Sequence, residues 1–152
     1  MKKIQFNTLT LEVIDSWEDT TINQNYSIIY SQKIGESYCI LSLYTFEENE
    51  NDIEKLYAST LNSYKEKNNF DLVSETTLDN DQFIYSKRRD FQFYDEDTDK
   101  IMNCSEYIIH DGTQLYILSG KTPSTPLSDE YVELLNKVFN SVKLNMPVLK
   151  TM

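Results

Sequence analysis

Glycine is scarce in this chain, with 3 in 152 residues and no two of them adjacent. No glycine-rich loop can be written to cradle a phosphate, which needs backbone amides that a ligand can approach closely. Histidine occurs once, as His110, so any Ser–His or Cys–His catalytic set must use that ring. Cys104 lies on the same strand-like run, but six strand positions separate the two by roughly 20 Å, too far for a proton relay. Cys39 and Cys104 are the only cysteines, and both sit inside apolar alternations, where free buried thiols are expected. Long hydrophobic runs are missing as well. No stretch approaches the roughly 20 apolar residues of a membrane span. The opening "MKKIQFNTLTLEV" is broken by Gln5, Asn7, Thr8 and Thr10, unlike a signal-peptide core. Cytoplasmic residence without stable membrane insertion is the expectation.

Positive charge is also in short supply. Lys and Arg number 14 against 25 Asp and Glu, giving a formal charge of −11 and a pI near 4.4. Such a field repels phosphate backbones and anionic membrane surfaces, so nucleic acid is not an expected partner. A basic or strongly hydrophobic protein partner suits it better. The one basic run, Lys87, Arg88 and Arg89, reads as a wet strand segment.

What the chain does have is tyrosine, 11 residues of it, and a length that buries roughly 70% of the surface of the unfolded chain. Tyrosine suits half-buried strands and interfaces, because the ring packs while the hydroxyl stays wet. Strand patterns run at 9–13, 25–32 and 37–46, the last two joined at Gly35, and together they read as a meander. The period then changes. Ile53, Leu56, Tyr57, Thr60, Leu61 and Tyr64 share one helical face over 51–68, with Asn51 and Glu54 spaced as a capping box. Further strands follow at about 70–78, 82–94, 100–110 and 113–120, and "HDGT" predicts a two-residue hairpin on Asp-Gly.

After "TPSTPL", Ser128 caps a second helix with Leu127 and Val132 as a staple. Its face is Tyr131, Leu134, Leu135, Val138, Phe139 and Val142. The predicted fold is α+β, an antiparallel sheet of about six to seven strands with two helices in the order β-β-β-α-β-β-β-β-α. Residues 1–145 form a single domain and 146–152 a C-terminal tail.

No convergent acid, base and nucleophile can be named, so the expectation is a non-enzyme without a cofactor. "DEDTDKIMNCSE" places Asp95, Asp97, Asp99 and Glu106 at positions 1, 3, 5 and 12 of a calcium loop. Lys100 occupies the place of the required glycine and the flanks are strand-like, so this reads as an acidic hairpin tip and no metal site is expected. Several strands are apolar on both faces: Cys39, Leu41 and Leu43 alternate with Tyr38, Ile40, Tyr44 and Phe46. Either the helices cover opposite faces of the sheet or an apolar face is left for a partner.

An apolar alternation ending in a lone Trp ("LTLEVIDSWEDTTIN"), "TQLYILSGKTPS" and a final helix closing in "VFNSVKL" together resemble the DcrB-like family of the Mog/PsbP fold. Within it the likeness is to the Eag-type chaperones of bacterial type VI secretion. Ile14, Asp15 and Ser16 stand where members of that family carry a Pro and a Gly before the Trp. The resemblance implies a non-enzymatic chaperone or adaptor, often a homodimer, whose sheet holds the hydrophobic transmembrane segment of an effector. Trp17 would then plug the corner of the first strand pair. Strand parity adds Phe83, Tyr85, Phe91 and Phe93 on one face, with Lys87 and Arg89 between them as polar handles for helix carbonyls. With Tyr38 and Tyr44 these rings would line the partner groove. The alternative is an acidic immunity or inhibitor protein that meets a basic toxin through Glu47 to Asp52 and Asp95 to Asp99.

Overall fold

The computed structural model describes residues 1–6, 8–19, 27–34, 37–46, 53–97, 99–112, 114–123 and 129–145, with the backbone alone described at 27–34, 37–46, 123 and 129–132. The elements in chain order are β1 (Lys2–Phe6), β2 (Leu9–Val13), β3 (Glu18–Asp19), β4 (Ser27–Ile34) and β5 (Ser37–Phe46), followed by α1 (Ile53–Lys65). Next come β6 (Asp71–Thr77), β7 (Tyr85–Asp95), β8 (Lys100–His110), β9 (Leu115–Pro123), α2 (Asp129–Ser141) and β10 (Lys143–Leu144). The capping residues expected at Asn51 and Ser128, and the tail at 146–152, lie outside the described residues.

The described residues build two antiparallel sheets: a seven-stranded one in the order β3-β4-β5-β9-β8-β7-β6 and a three-stranded one in the order β1-β2-β10. This corrects the meander expected for the first strands. Leu9–Val13 does not continue into β4; it folds back on Lys2–Phe6, with Lys2 opposite Val13 and Phe6 opposite Leu9, and takes Lys143 and Leu144 on its other edge. The reason is alternation in β2. Leu9, Leu11 and Val13 are all buried and all on one face, which needs a layer of its own above the larger sheet.

The helices lie on opposite faces of the large sheet. Leu135, Val138, Phe139 and Val142 of α2 and its end pack with Phe6, Leu9, Leu11, Val13 and Trp17 against Tyr107, Ile109, Tyr116 and Leu118. Those four sheet residues alternate with Ile108 and Ile117, which point the other way and meet Tyr57 of α1. Leu61 of α1 closes over Phe91, Phe93, Met102 and Cys104 on that same side. Of the two arrangements left open by apolar strands, covering helices on both faces is the one present across β7, β8 and β9.

Trp17 sits at the corner after β2, where its amide bonds the Ile14 carbonyl at 3.0 Å and its ring is buried in the α2-side core. The β8–β9 hairpin closes one residue later than Asp-Gly alone suggests. The Asp111 amide donates to the Gln114 carbonyl at 3.2 Å and the Asp111 carboxylate accepts the Gln114 amide at 2.7 Å. Asp111 therefore flanks the turn, and Gly112 carries its positive φ of 108°.

Candidate functional site

Pairing register sets the chemistry of the α1 face. Glu75 of β6 stands opposite Arg89 of β7, Arg89 opposite Glu106 of β8, and Glu106 opposite Ser119 of β9. Directly opposite residues share a face, so one polar row crosses four strands beneath α1. Arg89 and Glu106 are both fully buried. The guanidinium donates from Nε to Glu106 Oε1 at 2.8 Å, from Nη1 to the Tyr57 carbonyl at 3.0 Å and from Nη2 to Thr60 Oγ1 at 3.0 Å. It also lies over the Tyr57 ring at 4.8 Å. Two bonds thus tie Arg89 to the helix, and one of them goes to a carbonyl that the Thr60 hydroxyl also uses.

This corrects the reading of 87–89 as a wet strand segment. Lys87 pairs with Glu54 at 3.3 Å and Arg88 with Asp90 at 3.4 Å, while Arg89 is interior. Arg89 does handle a helix carbonyl, but the helix is the chain's own α1.

Three of the aromatic residues expected to line a partner groove, Phe83, Phe91 and Phe93, are likewise spent inside the chain. Phe91 and Phe93 are 2% and 5% exposed, under Leu61, Tyr64 and Phe70. Tyr85 is half-buried beside Tyr57. Phe83, 8% exposed, packs on the opposite side with Tyr107 and Phe139. Parity fails at Phe83 because a turn precedes β7: the Phe83 amide bonds the Asn80 carbonyl at 3.1 Å, and alternation starts only at Tyr85. Tyr38 and Tyr44 stand in β5, where the backbone alone is described.

The groups that could have been catalytic are committed elsewhere. His110 Nδ1 accepts the Gly112 amide at 3.0 Å. Burial pushes the Cys104 thiol up to about 12, so it stays protonated and unreactive at neutral pH. Burial also raises the phenols of Tyr57, Tyr64 and Tyr85, assisted at Tyr57 by the hydrogen bond to Glu75 and at Tyr85 by the charge of Glu54. Of the calcium-like set, Glu106 points away from the β7–β8 hairpin tip into its pair with Arg89, leaving Asp95, Asp97 and Asp99 at the tip. Among the described residues, no group of three His, Cys, Asp or Glu could hold a metal ion, and no helix is long and apolar enough to cross a membrane.

What the structure offers at the surface is a cleft of about 580 Å³ at the end of β6, between Glu54 at the start of α1 and the loop 78–84. Asp79 and Asp81 stand on its rim, Lys87 and Tyr85 on its wall, and Ile84, 67% exposed, at its edge. A smaller hollow of about 300 Å³ lies between Glu66 and the hairpin residues Asp95 to Asp97. Both are acidic. The acidic tip expected from the sequence borders the second of these; the first leaves no signal in the pattern, because its residues come together only when the 78–84 loop folds against α1.

No family model matches the chain, and no curated protein sequence matches it. Solved structures do. The chain is similar to the Saccharomyces cerevisiae Ran-binding protein Mog1p at 10% identity, covering 95% of each chain with a TM-score of 0.63. It is also similar to LpqN of Mycobacterium tuberculosis, a protein involved in cell envelope biogenesis, at 13% identity, covering 90% of this chain and 82% of that one with a TM-score of 0.58. At such identities the likeness concerns the path of the backbone. The chain has the Mog1/PsbP-like α+β fold.

Proposed function

We propose that this chain is a non-enzymatic protein-binding domain that meets its partner through acidic surface. The observation that carries the proposal is the cleft at the end of β6, where Glu54, Asp79 and Asp81 surround an exposed Ile84. An apolar contact rimmed mainly by carboxylates, with the one cation of the lining, Lys87, already paired to Glu54, suits recognition of a basic protein, because the charges steer and orient the encounter while the buried apolar area holds it. The formal charge of −11 extends the same preference over the chain, and Mog1p is a precedent for protein binding on this fold. On this reading an immunity or inhibitor protein would meet a basic toxin here as well as at Asp95 to Asp99, while Glu47 to Asp52, the other acidic stretch expected to serve, lie outside the described residues.

The finer alternative is a homodimeric chaperone or adaptor of the Eag type, holding the hydrophobic segment of a type VI secretion effector. It rests on the sequence resemblance. Because Phe83, Phe91 and Phe93 are core residues, such a segment would have to use the β4–β5 side of the sheet, with Tyr38 and Tyr44.

Co-purification with the products of adjacent genes, repeated at about 0.1 M and about 0.5 M salt, separates the two readings, since screening weakens exposed charge pairs and leaves apolar burial intact. The acidic-surface reading expects a soluble basic partner that is lost at the higher salt. Salt-insensitive retention of a hydrophobic segment, abolished by Tyr44→Asp, would replace it with the chaperone reading.

A further inference from the structure

Strand β6 ends the seven-stranded sheet, and among the described residues it pairs on one side only, with β7. All seven of its residues, Asp71–Thr77, are exposed. An edge of this kind presents unpaired amide and carbonyl groups in a row, and proteins that do not use such an edge blunt it with lysine, proline or a covering element. Among the described residues β6 has no lysine, proline or covering element; what it carries is two carboxylates, Asp71 and Glu75, which turn away acidic edges and admit basic ones. Residues 70–86 contain no Lys, Arg or Pro, and the one interruption is a bulge between Leu72 and Ser74. That bulge presents Val73 to solvent at 61% exposure.

Among the described residues, the exposed large hydrophobic side chains are Met1 and three others, Leu72, Val73 and Ile84, all at this edge. Carboxylates fill the rest of it: Asp71 and Glu75 on the strand, then Asp79 and Asp81 in the loop that leads into the 580 Å³ cleft. Strand and cleft are continuous, because Thr77, the last residue of β6, lines the cleft.

We infer that β6 and the adjoining cleft form one docking strip for a basic, extended segment of a partner protein, which adds as a further strand to the sheet edge. Main-chain hydrogen bonds to β6 supply the binding, and alternate side chains supply the selection. The strip is about 20 Å long at the rise of an extended strand. Lysine or arginine side chains of the segment face Glu75, Asp79 and Asp81, and an aliphatic side chain rests on Ile84. A second copy of this chain is disfavoured, because it would bring the same carboxylates again to an edge that already carries Asp71, Glu75, Asp79 and Asp81. The inference rests on the acidic-surface reading above and narrows it to one edge.

The test uses an alternating Arg-Val peptide of about ten residues, enough to span β6. Two companions accompany it: one with Glu in place of Arg, the other N-methylated at consecutive backbone amides, so that neither edge of it can pair. Titration by fluorescence anisotropy should show binding of the first alone, with the amides of β6 becoming protected from hydrogen exchange. Asp79→Lys combined with Asp81→Lys, both at exposed positions, should weaken that binding by about tenfold or more while leaving the fold intact by circular dichroism.

No binding of the Arg-Val peptide, equal binding of the N-methylated one, or indifference to the charge reversal would overturn the inference. So would a wild-type dimer in sedimentation whose β6 amides are already protected. If a natural basic partner is still lost at high salt while the charge-reversed variant binds it normally, the acidic-surface reading stands and this edge is the wrong place on it.

Discussion

The same three strands, β7, β8 and β9, are covered on both faces, and the two sides are built differently. On the α2 side, Tyr107, Ile109, Tyr116 and Leu118 meet α2 and the small sheet in one continuous apolar cluster that runs from Phe6 to Val142. On the α1 side the apolar residues fall into two groups, one around Tyr57, Ile108 and Ile117 and the other around Leu61, Phe91 and Cys104. Arg89 and Glu106 lie between them. A buried ion pair adds little net stability, because the cost of desolvating two charges roughly cancels their attraction. It does fix placement: Arg89 reaches Tyr57 and Thr60 of α1, so the helix can sit in one register only. The comparison bears on function. The aromatic face of β7 exists, but the chain's own helix occupies it, and a partner could reach Phe91 and Phe93 only by displacing α1.

Breaking the pair should give the largest effect. Arg89→Ala leaves Glu106 buried and uncompensated and should cost about 3–5 kcal/mol in urea denaturation, whereas Arg89→Met with Glu106→Leu should be close to neutral. A small cost for the single change would mean that the row is wet and the two sides are more alike than described.

Next come the apolar truncations. Leu135→Ala on the α2 side and Leu61→Ala on the α1 side should each cost about 2–5 kcal/mol, with Leu61 toward the lower end because its smaller cluster can relax around the loss. Ala at the exposed Ser59 or Asn62 is the control and should stay within about 0.5 kcal/mol. Equal costs at Leu61 and Leu135 would remove the distinction between the sides.

Alkaline pH should then act through the α1 side. Cys104, Tyr57, Tyr64 and Tyr85 all have folded-state pKa values raised by burial, so the folded protein keeps protons that the unfolded chain releases. Stability therefore falls as pH rises above the ordinary thiol value of 9.0, and for Cys104 the loss is complete near pH 12. Urea midpoints that stay constant between those limits would contradict the burial of these groups.

The smallest effects are expected at Ser119 and Glu54. Among the described residues Ser119 Oγ is buried without a hydrogen-bond partner, so Ser119→Ala should be neutral or slightly stabilising. Glu54→Gln removes a largely exposed partner of Lys87 and should change stability by less than about 1 kcal/mol. A clear loss at Ser119 would show that the polar row reaches further than Arg89 and Glu106.

Much of this architecture was legible in the sequence. Period and parity placed both helices and their buried faces, because Tyr57, Leu61, Leu135 and Val138 follow a 3.6-residue spacing that only a helix satisfies. They also put Tyr85, Phe91 and Phe93 on one side of β7. What parity could not supply was the cover. Which element lies over a face is a tertiary choice, and the α1 stripe fits the aromatic side of β7 as well as any partner helix would.

Residues 2–6 are hard to read as a strand because their alternation is short, with Ile4 and Phe6 the only apolar positions in Lys2–Phe6. The Arg89–Glu106 pair was within reach. Folding β7 against β8 about the acidic tip brings the two opposite each other, and an arginine at an inward position asks for such a partner. The cleft was not, since it depends on a loop whose turn at Asn80 to Phe83 breaks the alternation.

The closure of α1 over the aromatic face is tested most directly by the reactivity of Cys104, which stands opposite Phe91 in the ladder and is buried beneath the helix. In a Cys39→Ser background, Cys104 is the only thiol. Its reaction with a disulfide reagent at about pH 8 should be slower than in the urea-unfolded chain by about two orders of magnitude or more, because the thiol must wait for α1 to open. Reaction at a rate close to that of the unfolded chain would show that α1 does not seal this face, and that Phe91 and Phe93 are open to a partner after all.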